Sequence, residues 1–190
     1  MCIRDRSNTD PLLALEYHRQ FSHSLFFVPV GALICACVFY PLVRQRLSFR
    51  SVWFFAALGY GTHGLLDACT TYGTQLLWPL TNARFALHNV SVIDPLFTLP
   101  LLVLLLISAI QRQPKLAVYG FCWALCYLGF GLVQHQRALS AAESIVSDRR
   151  HEPTRLEVKP GFANLLVWKA LYEYEDRYYV DAVRVGINPT

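Results

Sequence analysis

His63 and Asp67 stand four residues apart in a stretch whose neighbours are mostly apolar. On a helix, positions i and i+4 share one face, so this imidazole and this carboxylate point the same way, as two metal ligands or an acid and its base must. Ionisable groups in lipid-like surroundings are costly and mark a candidate site. The competing reading is a buried His–Asp hydrogen bond that locks two helices together. Two more imidazoles, His18 and His23, precede the first apolar run. Their spacing of five suits one helical face poorly, so a loop or helix start has to bring them to a common centre. Three imidazoles and a carboxylate, shared over one or two divalent ions such as zinc, suit hydrolysis by a metal-bound water whose pKa the ion lowers.

The elements that must position these groups read as membrane helices. The chain of 190 residues is 54% hydrophobic and 16% charged, with mean hydropathy +0.32, too apolar for an ordinary soluble domain. Its net charge of +4 is uneven: residues 134–190 carry eight basic and eight acidic side chains, so the excess lies earlier, in short loops. That pattern gives no nucleic-acid patch, and nucleic acid is not expected as a partner. Among the six cysteines, Cys35, Cys37, Cys122 and Cys126 fall in apolar runs, where a thiol acts as a small hydrophobe. No Cys-x-x-Cys pair is present.

Residues 1–6, Met-Cys-Ile-Arg-Asp-Arg, back-translate onto a transposon-end adapter used in sequencing libraries. They are set aside as an artefact, and a natural N-terminal segment is expected to be missing. Apolar runs at 24–43, 52–66, 94–110 and 116–133 predict four surviving transmembrane helices in an all-α polytopic domain covering 7–137. Asp94 suits an N-cap, Pro95 a first helical turn, and Pro100 predicts a kink. Residues 68–93 read as a loop or re-entrant segment. Residues 138–190 predict a small extracytoplasmic α/β tail: a short amphipathic helix at 138–146, then strands near 156–158, 165–174 and 177–185, with a turn at 173–176.

Basic loops at 44–50 and 112–115 set the orientation, because short Arg/Lys-rich loops stay cytoplasmic. With four alternating spans both lie inside. His18, His23, His63, Asp67 and Asp94 then gather at the periplasmic face of a bacterial inner membrane, with the tail.

Three motifs in succession carry a resemblance: His18-Arg-x-x-Ser-His23-Ser; His63-x-x-x-Asp67-x-x-Thr-x-Tyr-Gly-Thr-Gln-Leu-x-Trp-Pro79; and Ile93-Asp-Pro-Leu-Phe-Thr-Leu-Pro100. Over about residues 10–186 the chain resembles the YdjM-like family of membrane-bound, predicted metal-dependent hydrolases. The resemblance implies an inner-membrane location and, through a distant similarity to zinc phospholipase C, phosphoester substrates. It also implies His18, His23, His63 and Asp67 as metal ligands. The family pattern usually begins with an extra helix bearing a Thr-His element and a Pro-Asp-x-Asp segment; neither is present here.

The resulting expectation is a metal-dependent, multi-pass hydrolase acting on an ester or phosphoester, in contact with membrane lipid and with a small or lipid-like substrate. Asp67 and Asp94 are the candidates for proton transfer, Asp94 also being readable as a helix cap or an acceptor for a ligand imidazole. Arg19 is either a substrate-anion contact or a snorkelling side chain. The alternative is a non-catalytic membrane protein whose His/Asp cluster is a structural metal or helix-packing site. A transporter would need its ionisable groups near the bilayer midplane. Thr70, Thr71 and Thr74 read as helix-end caps, with a bond to a carboxylate or ligand as the alternative; His88, and His135 with Arg137, read as interfacial residues, with membership of the site as the alternative; His151 reads as a solvated tail residue, and Cys69 carries no mark of a nucleophile.

Overall fold

Proline and polar caps punctuate the helices in the computed structural model, which describes residues 21–186. After a 3-10 turn at Phe21–His23, α1 (Val28–Val43) starts with Pro29 in its first turn. The next helix, α2 (Phe49–Ala68), starts where Ser48 Oγ accepts from the Ser51 N–H, 3.3 Å. Asp94 caps α3 (Pro95–Gln111) by accepting from the N–H groups of Leu96 and Phe97, and Arg112 ends that helix in the left-handed region at φ 54°. Pro114 then opens α4 (Pro114–Asp148).

The expected all-α fold with four transmembrane helices is corrected by these elements. Among the described residues there are four α-helices and a three-stranded antiparallel sheet, and one helix, α4, is long and apolar enough to cross a membrane. The reason is length against polarity. At about 1.5 Å per residue, the 16 residues of α1 and 17 of α3 reach about 24–26 Å, short of a hydrocarbon core of about 30 Å. With 20 residues α2 is long enough, but it carries Arg50, Thr62, His63 and Asp67. Nor does the fourth apolar run stop at 133 with a separate short helix after it. Residues 134–147 contain no glycine or proline, and α4 runs through them unbroken for 35 residues.

Two compact units divide the chain. The first takes residues 1–68 and 72–86, where α1 packs on α2; the second takes 69–71 and everything from Leu87, where α3 packs on α4 and the sheet covers the end of α4. In the sheet, β1 (Arg155–Pro160), β2 (Val167–Tyr174) and β3 (Arg177–Arg184) lie in the order β1-β2-β3, with Lys159 opposite Lys169, Trp168 opposite Val183 and Tyr172 opposite Tyr179. Val158, Trp168, Ala170, Tyr172 and Val183 are buried on one face. They meet a stripe on α4, Gln134, Ala138, Ala142 and Val146, spaced by four so that it stays on one side of the helix. Alanines there let the sheet approach closely. Gln134 Nε2 donates to the carbonyls of Leu165, 3.2 Å, and Val185, 3.1 Å, while its Oε1 accepts from Arg137, 2.9 Å. At the far end Arg149 makes a two-pronged ion pair with Asp181 and donates to Tyr172 Oη.

Higher on α4, the loop before α3 presses against Gly131. A Cβ on Gly131 would lie 2.0 Å from the Asn89 carbonyl oxygen, whereas one on Gly129 meets nothing within 4 Å. Gly131→Ala is therefore expected to cost about 1–3 kcal/mol through forced displacement of backbone. Gly129→Ala is expected to gain about 0.5–1 kcal/mol of helix propensity. Thermal unfolding of the detergent-solubilised chain should move in opposite directions for the two; equal shifts would contradict the close approach.

Candidate functional site

His23, His63 and Asp67 come together in the first unit. The turn that carries His23 is pinned to α2 from both sides. Tyr60 Oη donates to the Ser22 carbonyl, 2.7 Å, and a Cβ on Gly64 would lie 2.9 Å from the His23 carbonyl oxygen, so only glycine allows the approach. The His23 and His63 rings lie 5.0 Å apart, tilted by 42°, and His23 Nε2 is 3.8 Å from Asp67 Oδ2. Ser22 Oγ lies 2.9 Å from His23 Nδ1, which fixes the ring's orientation.

Asp67 Oδ2 also accepts from Thr74 Oγ1, 3.0 Å. Thr74 is wholly buried and is held by a reciprocal pair of main-chain bonds with Phe85, both 3.0 Å. Leu25 N–H donates to the Leu76 carbonyl, 2.9 Å, and Ser24 Oγ to the Trp78 carbonyl, so the 72–81 loop is stitched onto the segment leading from His23 into α1. Of the two readings that Thr74 admits, a backbone cap or a bond to a carboxylate, the structure takes the second. The Thr-x-Tyr-Gly-Thr succession after Asp67 could have signalled this, since Gly73, at φ 78°, turns the chain back on itself.

Two imidazoles and a carboxylate are suitable donors for a zinc-like ion, and ligands with bonds of about 2.0–2.1 Å in tetrahedral geometry stand about 3.3 Å apart. The His23–Asp67 separation of 3.8 Å is close to that. Even so, no group of three His, Cys, Asp or Glu side chains among the described residues is placed to hold a metal ion. His18 and Arg19 lie outside the described residues. Beside the cluster an apolar groove of about 530 Å³ runs between α1 and α2, from Leu47 past Phe39, Phe55 and Tyr60 to His63.

Asp94 belongs to the second unit. Only 2% exposed, it caps α3 through Oδ1 and accepts from Tyr127 Oη on Oδ2, 2.7 Å. Sequence reasoning did not single out Tyr127, Gln134 or Arg149; the first two lie seven apart on α4, a two-turn spacing that was the available signal. His88 and His135 stack at 6.2 Å, and His135 meets the Trp168 ring edge-on at 5.6 Å. The expected solvated His151 instead stacks on Tyr174 at 4.3 Å, with Nδ1 3.1 Å from Tyr172 Oη. Burial pushes the Cys69 thiol up, away from the nucleophilic thiolate.

Comparison with known proteins places these residues in context. Residues 1–138 match the family described as YdjM inner membrane protein. Over 70 residues the chain is 39% identical to the inner membrane protein YbcI of Escherichia coli (strain K12), a stretch covering 36% of this chain and 39% of that relative. No solved structure matches.

His88 supplies a pH test. Burial pushes its pKa below the usual 6.5, Lys159 lowers it further, Glu157 opposes this, and His135 and Arg155 add to the lowering. A depressed folded-state value means that the unfolded chain binds more protons. The associated stability is complete above about pH 6.5 and is lost as pH falls from there through the folded value. Acidification from about pH 7.5 to about pH 5 should lower the melting midpoint of the wild-type chain. His88→Gln should flatten that dependence; an unchanged slope would remove His88 as its source.

Proposed function

The chain belongs to the YdjM inner membrane protein family, and on that premise we propose that it is an inner-membrane hydrolase of ester or phosphoester bonds whose site is the His23/His63/Asp67 cluster. The observation that carries the reading is the 3.8 Å approach of His23 to Asp67, two residues 44 apart in sequence, with Thr74 buried behind the carboxylate. Polar groups of this kind are expensive to gather beside an apolar groove, and the expense needs a reason.

In this reading His18 joins His23, His63 and Asp67 in holding a divalent ion, an imidazole-rich set that suits zinc, and the ion when bound would supply a water of lowered pKa. The chain's own residues do the rest. Thr74 holds Asp67 in one orientation, as the base that accepts a proton from the attacking water. Ser22 orients the His23 ring. The apolar groove leading to His63 suits the chain of a lipid-like substrate, with its polar head at the cluster. Asp94 positions α3 through its cap and its bond from Tyr127. Arg112, just before α4, and Lys115, in its first turn, favour the cytoplasmic side, so α4 emerges with the sheet in the periplasm.

A structural role for the same cluster is favoured by one observation: the His23 turn is fastened to α2 by main-chain contacts at Gly64 and Ser22. Single variants His63→Ala and Asp67→Ala separate the two readings. For a hydrolase, turnover of a phosphoester panel falls by at least about 100-fold in each, and the metal bound per chain falls with it. Unchanged turnover with a lowered melting midpoint would establish the packing role and end the hydrolase reading.

A further inference from the structure

We propose that residues 161–167 form a second membrane contact, a loop that dips into the interface of a bilayer carrying anionic phospholipid, beside the point where α4 leaves it. The inference rests on α4 crossing the membrane and is independent of any hydrolytic activity.

Gln134 sets the level. It follows Phe130, Leu132 and Val133, which are 50%, 44% and 57% exposed, and it bonds the carbonyls of Leu165 and Val185. The sheet thus begins where the lipid-exposed part of α4 ends. From there, 15 residues further along the helix, Arg149 grips β3 through Asp181, which pairs with Ala170 in the middle of β2, and bonds Tyr172 Oη, two residues nearer the turn. The hairpin accordingly runs alongside α4, with its 174–177 turn far from the bilayer and the 161–167 loop next to it.

That loop presents apolar groups without cover: Phe162 is 74% exposed, Leu166 54% and Val167 43%. It is also well built. Asn164 Oδ1 accepts from the N–H groups of Leu166, 3.0 Å, and Val167, 2.8 Å, and its Nδ2 donates to the Phe162 carbonyl, 2.9 Å. Ala163 is held at φ 58°, a conformation that alanine rarely adopts. An ordered loop showing a phenylalanine and two aliphatic side chains, continuous with the lipid-facing surface of α4, fits the acyl boundary of a bilayer.

Charge specifies the lipid. Lys159 and Lys169 are direct cross-strand partners on the sheet face away from α4, and Arg184 lies one strand further on. Like charges directly opposite are destabilising unless an anion lies between them. Lys159 pairs with Glu157, 3.0 Å, but Arg155 shares that same carboxylate. At the membrane end of the sheet the face is therefore positive, as recognition of phospholipid phosphates requires.

The full chain would be reconstituted into phosphatidylcholine bilayers with or without phosphatidylglycerol. A bimane label would be placed at Leu166→Cys, at Tyr178→Cys on the far turn, or at native Cys126 within α4, the remaining cysteines being replaced by serine. Acyl-chain nitroxides should quench the Cys126 and Leu166→Cys labels at least about threefold more than the Tyr178→Cys label. Adding Phe162→Asp should abolish the excess at Leu166→Cys. Lys159→Gln and Lys169→Gln should each reduce the docked-to-free ratio of the loop about fivefold in phosphatidylglycerol and leave it unchanged in phosphatidylcholine. In the unaltered chain, amides of 161–167 should exchange more slowly in phosphatidylglycerol bilayers than in phosphatidylcholine. Quenching at Cys126 but not at Leu166→Cys, with no change in exchange, would overturn the loop contact while leaving α4 embedded. Absence of quenching at Cys126 would remove the crossing helix and the proposal with it.

Discussion

Gln134 is the residue on which the second unit turns. A glutamine side chain only 1% exposed must have its donors and acceptor satisfied, since an unpaired buried amide costs several kcal/mol. Two carbonyls that bracket the β2–β3 hairpin, Leu165 before it and Val185 after it, and the Arg137 guanidinium meet that demand. Because those carbonyls flank β2 and follow β3, satisfying Gln134 fixes where the hairpin lies along α4. Small side chains at Ala138 and Ala142 then let Trp168 and Ala170 pack down on the helix. One continuous helix thus has two kinds of surroundings: exposed apolar side chains before Gln134, and a protein core after it.

The first unit solves a different problem, holding ionisable groups where the surroundings are apolar. It does so by doubling back. Asp67 near the end of α2 is met by Thr74 from the chain that follows and by His23 from the chain that precedes α1. Gly64 is the steric condition for the second contact, because any side chain there would push the His23 turn away. The same geometry serves chemistry or cohesion: a carboxylate oriented by a buried hydroxyl is both a well-placed base and a well-satisfied buried charge.

Legibility of the fold followed the range of the interactions. The helix start at Asp94-Pro95, and the strand stretches around 156–158, 165–174 and 177–185, are local patterns of caps, prolines and alternation, and they mark real elements. The number of spans was misread because hydropathy registers a run's apolarity more readily than its helical length; α1 and α3 are apolar but short, and α2 is long but polar. The end of α4 was misread because the polar Gln134-His-Gln-Arg137 looked like an exit from the helix, when Gln134 turns inward to the sheet.

The sequence by itself determined the membrane character of the chain, its family, and the fact that His63 and Asp67 share a helix face, since composition, motif order and i,i+4 spacing need no knowledge of distant contacts. Only the tertiary structure decided that His23 joins them, that Thr74 rather than a backbone group bonds the carboxylate, and that Asp94 is committed to a helix cap and Tyr127. Each of those depends on residues far apart in sequence being brought within a hydrogen bond's reach, and that closeness is set by packing, at Gly64 and Gly131 above all, which no local pattern encodes.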